Sequence, residues 1–228
     1  MRPFFYVVAG PNGVGKSTVA FQYLPSGVEL INSDDIARQF RLEQTHQEVV
    51  QRLTNDESLR RIQQHLRRRE AFAVETNLHE EETWHYFLAM QRAGYEFRLI
   101  FLCTSDLVTL NNRVVNRHLQ GGHFVREDVI RGRYEAGLIL LNHFFNEPDT
   151  LTMIDSSDRL EIVYQRVDGQ IVIQRQTLPS WVTTSLRTHF STTTPNEPIA
   201  RAADTIEQVR AVYQQRNPIN PTDEQTPS

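Results

Sequence analysis

A chain of 228 residues with 39% hydrophobic content is long enough to bury one substantial core, and its net charge of -4 gives no overall basic footprint for nucleic acid. Its single cysteine, Cys103, excludes an internal disulfide and a cysteine-rich metal site, and it fits a reducing, cytoplasmic setting. The apolar start over residues 4–9 is too short to cross a bilayer and runs straight into a glycine, so it reads as a core strand and not as a membrane segment or signal peptide.

That strand leads directly into Gly10-Pro11-Asn12-Gly13-Val14-Gly15-Lys16-Ser17-Thr18. This is the complete G-x-x-x-x-G-K-[ST] pattern, placed between a strand and a helix-competent stretch over 18–23, where a phosphate-binding loop must stand. Its glycines let successive backbone N–H groups turn inward around phosphate, and a side chain at Gly10 or Gly15 is expected to obstruct that path. Lys16 is expected to reach the β- and γ-phosphates and Ser17 to ligate Mg²⁺. Thr18 adds a second hydroxyl, and the following helix directs its positive end at the anion. The loop reads phosphate and not base, so ATP and GTP both stay open at this point.

The next expected strand, 29–32, ends at Ser33-Asp34-Asp35. Parallel strands present their C-terminal ends to a ligand crevice, so Asp34 is the candidate base for an acceptor hydroxyl. Ser33 or Asp34 also reads as a helix cap and Asp35 as a first-turn acid. Residues 45–69 are polar and helix-forming, with Val49, Leu53, Leu59, Ile62 and Leu66 as the expected apolar stripe. A third strand, 71–75, ends at Glu75-Thr76-Asn77 and brings Glu75 to the same edge, where it can grip a substrate hydroxyl or metal-bound water. A helix from about 80 to 89, the helix stop Gly94 and strands over 97–102 and 151–154 complete a βα rhythm. That rhythm implies a mostly parallel sheet covered by helices on both faces. Cys103, following an apolar run, reads as a buried thiol.

Between the last two of these strands lies a basic stretch. Arg113 and Arg117 are four residues apart and share a helix face, Gly121-Gly122 ends that helix, and Arg126, Arg131 and Arg133 follow. A hinged basic lid closing over a triphosphate has this pattern, and so does a solvated basic face. His118 and His123 have no matching ligand cluster for a metal. Two β-rich runs flanking Asp168-Gly169 predict a terminal hairpin. The expected organisation is a kinase-type domain over 1–175, a partly helical extension over 176–216 with a helix over 199–215, and a Pro- and Thr-rich disordered tail over 217–228.

Taken in order, the phosphate loop, Ile31-Asn32-Ser33-Asp34-Asp35-Ile36-Ala37, Val74-Glu75-Thr76-Asn77-Leu78, Gly94-Tyr95, Arg113-Val114, Arg117, Gly121-Gly122-His123, Arg133-Tyr134 and Asp155-Ser156-Ser157 resemble the zeta-toxin family of P-loop kinases. The resemblance is to its compact branch, often labelled predicted ABC-type ATPase, and it covers roughly residues 3–175. It implies a P-loop kinase fold, ATP and Mg²⁺ as cofactors, and phosphorylation of a small-molecule hydroxyl, that of UDP-N-acetylglucosamine in characterised members. It also implies Lys16 and Ser17 on phosphate and metal, Asp34 as the base, and Glu75 and Thr76 in the acceptor pocket. Arg117 and Arg133 would lie on the phosphates, with Arg113 and Arg126 next, and an antitoxin protein is an implied partner. The sequence departs from that pattern at Ile36-Ala37-Arg38-Gln39-Phe40, which lacks a His-Pro pair, and at Gly132-Arg133-Tyr134, where Arg-Arg-Tyr is usual. A true ABC ATPase needs a Ser-Gly-Gly signature and paired strand-end acids; the nearest acidic strand end is Asp155 alone. A nucleoside, an RNA end or a protein hydroxyl as acceptor stays open, as does a non-catalytic nucleotide switch.

Overall fold

The computed structural model describes residues 2–43, 46–119 and 125–190. Five parallel strands, β1 (Phe4–Ala9), β2 (Glu29–Asn32), β3 (Phe72–Thr76), β4 (Glu96–Cys103) and β5 (Thr150–Asp155), and an antiparallel hairpin, β6 (Glu161–Val167) and β7 (Gln170–Gln174), form one sheet in the order β2-β3-β1-β4-β5-β6-β7. The hairpin turns where Asp168 and Gly169 both take positive φ, 48° and 77°, as a two-residue turn matched to strand twist requires. Among the described residues, no helix is long and apolar enough to cross a membrane.

The apolar character of β1 follows from its place in the middle. Phe5 to Ala9 are all fully buried, because a parallel sheet covered on both faces needs a continuous hydrophobic run and not an alternating one. Phe5, Val7 and Ala9 face one core and Tyr6 and Val8 the other. The first core is aromatic: Phe5 stacks on Phe97 with centroids 5.0 Å apart, and Trp84 stacks on Phe144 at 4.9 Å. It is filled by α2 (Ser33–Arg41), α3 (Gln47–Arg68), α4 (Glu81–Arg92) and the later part of α6 (Glu127–His143). The second core is filled by α1 (Lys16–Tyr23), α5 (Leu107–Leu119) and Ile130 of α6. At the end of α4, Gly94 takes φ 96°, and its N–H and that of Tyr95 donate to the carbonyls of Gln91 and Met90. This closes the helix as its sequence signal indicated.

Two features differ from the sequence reading. Along α3, Ile62 is buried and Leu66 packs against the core as the apolar stripe predicts, but in the first half Val50 and Thr54 are buried one position beyond Val49 and Leu53, and Leu59 is 44% exposed. The chain after the hairpin also continues into the core. The helices α7 (Ser180–Ser185) and α8 (Arg187–Phe190) place Trp181, Val182 and Leu186, all buried, in the same cluster as Trp84 and Phe101. The Trp181 indole N–H donates to Asp155 Oδ1 at 2.8 Å. The expected helix over 199–215 and the tail over 217–228 lie outside the described residues. Trp181→Ala is expected to destabilise the fold by about 3–5 kcal/mol in urea unfolding. A loss within ~0.5 kcal/mol, the range of surface substitutions, would make this segment an appendage.

Candidate active site

The C-terminal ends of β2, β3 and β1 lie side by side, and the parallel register sets Asn32 beside Glu75 and Val8 beside Glu75. The loop between β1 and α1 is shaped by glycines for two different reasons. A Cβ at Gly10 would lie 2.2 Å from the Leu102 carbonyl oxygen, and one at Gly13 would lie 2.7 Å from that of Leu110, so both are needed for space. At Gly15 nothing lies within 4 Å. There no protein atom crowds the position, and its φ of 101° by itself favours glycine.

Lys16, 8% exposed, donates its three N–H groups to the carbonyls of Gly10 at 2.9 Å and Pro11 at 3.2 Å and to Asn77 Oδ1 at 3.0 Å. Burial lowers its pKa from 10.5 to about 8, against the pull of the Glu75 and Asp34 carboxylates and together with repulsion from Arg117 and Arg133. All five charged groups therefore share one field. Next to Lys16, the exposed Ser17 hydroxyl donates to Glu75 Oε2 at 3.1 Å, and the same oxygen accepts from Asn32 Nδ2 at 3.0 Å. Burial pushes the Glu75 carboxyl up, countered by Lys16 and the Ser17 hydroxyl. Two hard oxygens thus sit side by side where a P-loop protein holds its metal with a P-loop hydroxyl and a strand-end acid. That arrangement fits Mg²⁺ completed by phosphate oxygens and water.

The strand-end acid beside Ser17 is Glu75, on a strand adjacent to β1. Asp155 lies two strands away on the other side of β1, with its carboxylate bound to Trp181 and the Ser157 hydroxyl. Thr76 uses its hydroxyl internally, accepting the Leu78 N–H at 3.1 Å. This tight turn puts the buried Leu78 at φ 53° and aims Asn77 at Lys16. Gly137 of α6 lies against the same turn, where its Cβ would be 3.8 Å from the Asn77 carbonyl oxygen.

Asp34 opens α2. Asn32, and neither Ser33 nor Asp34, caps that helix, with Asn32 Oδ1 accepting the Asp34 N–H at 2.8 Å. The Asp34 carboxylate is exposed and 3.8 Å from Arg117 Nη1. Asp35 pairs with Arg38 at 2.9 Å. Arg133 Nη1 donates to Asn12 Oδ1 in the phosphate loop at 3.1 Å. The other two arginines are engaged elsewhere: Arg113 Nη2 donates to the Ser156 carbonyl at 3.1 Å, and Arg126 pairs with Asp128 on the surface. Thr18 is exposed. Gly121, Gly122 and His123 lie outside the described residues.

Asn32, Asn77 and His79 were not singled out from the sequence. His79 is held below the usual imidazole range by burial, with Arg133 adding to the effect, which places it in the same field. A cleft of about 540 Å³ lies at the opposite end of β5, beside Arg166. That guanidinium serves the chain itself, binding the Phe145 and Pro148 carbonyls and Asn146 Oδ1.

The charge state of Lys16 gives an expected result. A bound triphosphate raises its pKa, so ATP binding near pH 8.5 should take up a fraction of a proton. Calorimetry in buffers of different ionisation enthalpy measures this uptake, and a binding heat independent of buffer would contradict it.

The family model described as AAA domain matches residues 6–136, more than half of the chain. The chain belongs to that family. No curated protein matches it. Among solved structures, this AAA-domain chain is similar to a protein of the PezAT chromosomal toxin-antitoxin system of Streptococcus pneumoniae, with TM-score 0.51 and 16% identity, covering 94% of this chain and 86% of that one. It is similar to a Chloroflexus aurantiacus protein with a provisional kinase assignment, with TM-score 0.50 and 16% identity, covering 69% of this chain and 90% of that one. It is also similar to a chain of the Pnkp1/Rnl/Hen1 RNA repair complex, with TM-score 0.51 and 14% identity, covering 60% of this chain and 44% of that one. At these identities the likeness is one of fold. The α/β P-loop fold expected from the sequence, a mostly parallel sheet covered by helices with a terminal hairpin, is shown.

Proposed function

We propose that the chain transfers the γ-phosphoryl group of ATP to a hydroxyl of a small molecule, using Mg²⁺. The observation that carries this reading is the separation of two carboxylates, Glu75 at the end of β3 and Asp34 in the first turn of α2. Glu75 is bound to the Ser17 hydroxyl on the metal side, while Asp34 is exposed and beside Arg117, free to meet a second substrate. A nucleotide switch needs the first carboxylate and has no use for the second.

In this reading the loop N–H groups and Lys16 hold the β- and γ-phosphates, and Lys16 exchanges its carbonyl partners for phosphate oxygens. Ser17 and Glu75 would hold Mg²⁺, which would supply neutralisation of the phosphate charge. Asp34 accepts the acceptor's proton as the acceptor oxygen bonds to Pγ and the bond from Pγ to the bridging oxygen of ADP breaks. Arg117 and Arg133 face the charge that develops there, and Arg113 and Arg126 would join them only by leaving the Ser156 carbonyl and Asp128. Glu75 and Thr76 border the acceptor side, with Glu75 shared between metal and acceptor. A UDP-N-acetylamino sugar is the acceptor that the motif resemblance favours, and that reading brings a neutralising antitoxin protein as partner.

Incubation with ATP, Mg²⁺ and a panel of UDP-N-acetylglucosamine, nucleosides and RNA 5′ ends, read by mass spectrometry, tests the acceptor. A phosphorylated sugar nucleotide is the expected product. Phosphate on a nucleoside or RNA end would keep the kinase and replace its substrate class. ADP and free phosphate alone, with every acceptor, would count against both.

A further inference from the structure

Asn32 is the last residue of β2, 9% exposed, and its side chain is used at both ends. Its Oδ1 accepts the Asp34 N–H at 2.8 Å, and its Nδ2 donates to Glu75 Oε2 at 3.0 Å. The same Glu75 oxygen accepts the Ser17 hydroxyl at 3.1 Å. An unbroken run of hydrogen bonds therefore leads from the backbone carrying Asp34, through one amide and one carboxylate, to the hydroxyl of the phosphate loop. The strand register makes this link specific, since Asn32 and Glu75 are direct partners across β2 and β3.

We propose that Asn32 is a positioning residue that joins the two halves of the site, holding the Glu75 carboxylate against Ser17 while fixing the turn that presents Asp34. The inference rests on the kinase reading above and adds a residue that touches neither substrate. Of the residues that cap helices well, Ser and Thr are shorter, and Asp offers no donor to a carboxylate. An amide is the group that accepts from one neighbour and donates to the other at once. A residue serving only as a helix cap carries a different expectation, because Asp caps as well as Asn and Gly costs little there.

The test uses the full chain as wild type, Asn32→Asp and Asn32→Gly. ATP affinity is measured by calorimetry across a Mg²⁺ series, with thermal melting and ATP turnover alongside. Both variants should melt close to wild type and bind metal-free ATP as wild type does, yet need ~10-fold more Mg²⁺ for half-maximal effect, the scale on which groups that orient metal ligands act. In a Glu75→Gln background the Asn32 substitutions should add little further, because the link is already broken. Wild-type Mg²⁺ dependence in both variants would overturn the proposal and leave Asn32 as a cap. If Asn32→Asp folds poorly because of its added charge beside Glu75, Asn32→Gly decides alone. If ATP binding to the wild-type chain shows no dependence on Mg²⁺, the functional reading fails first, a result distinct from failure of the Asn32 link.

Discussion

Asp34→Asn is expected to leave ATP binding close to wild type and to cut phosphoryl transfer by about 10³-fold, within the usual range for a general base. The substitution keeps the size of the side chain and the backbone N–H that Asn32 caps, so α2 should start unchanged. Its side chain is exposed and its ion pair with Arg117 spans 3.8 Å; a pair of that kind contributes little to stability, so melting should barely move. The lost function is proton acceptance at one position. Transfer within tenfold of wild type, measured in single turnover with bound ATP, would remove Asp34 from the role of base and shift attention to Glu75.

Lys16→Met is expected to abolish productive ATP binding while leaving the fold close to wild type in stability at pH 7. Lys16 is buried, and its pKa falls from 10.5 to about 8, so the folded state disfavours its charge by about 3 kcal/mol at neutral pH. Between pH 8 and 10.5 the unfolded chain holds a proton that the folded chain has released, so wild-type stability should rise with pH across that window. Lys16→Met should lack that rise. Its cost is the loss of a donor for the Gly10 and Pro11 carbonyls and Asn77 Oδ1, which is comparable to the gain at about 1–3 kcal/mol for each acceptor left unpaired. Denaturant melts at pH 7 and pH 10 distinguish the outcomes, and a Met variant clearly less stable at pH 7 would show that Lys16 serves the fold more than the nucleotide. A destabilising charge kept at the loop is the kind of compromise that functional sites retain.

These two residues were legible in the sequence because their signals are local. The phosphate loop is written in consecutive glycines and a lysine, and Asp34 stands at a strand end. The hairpin turn at Asp168-Gly169 and the helix stop at Gly94 were legible for the same reason, since each needs a backbone conformation that few residues adopt. What depends on strand order was not legible. That Glu75 ends at the phosphate edge was legible, but nothing within 71–77 says that β3 lies between β2 and β1, the order that sets Glu75 on Ser17 and Asn32 on Glu75. Asn77 meets Lys16 from the turn that the Thr76 hydroxyl closes after β3, a contact between residues 61 positions apart. Along α3, apolar periodicity finds Ile62 and Leu66 but misreads the first half, where Thr54 is buried, and Leu59, which is half exposed. Trp181 and Leu186 belong to the core even though the surrounding Ser and Thr suggest an extension.

The fate of the γ-phosphate tests the central claim most directly. A rapid-quench single turnover with γ-labelled ATP, Mg²⁺ and a small-molecule extract, run for the wild-type chain and Asp34→Asn, separates label on an organic hydroxyl from free phosphate. The kinase reading predicts organic label from the wild-type chain and its loss in Asp34→Asn. Label released only as inorganic phosphate, at equal rates in both proteins, would contradict it.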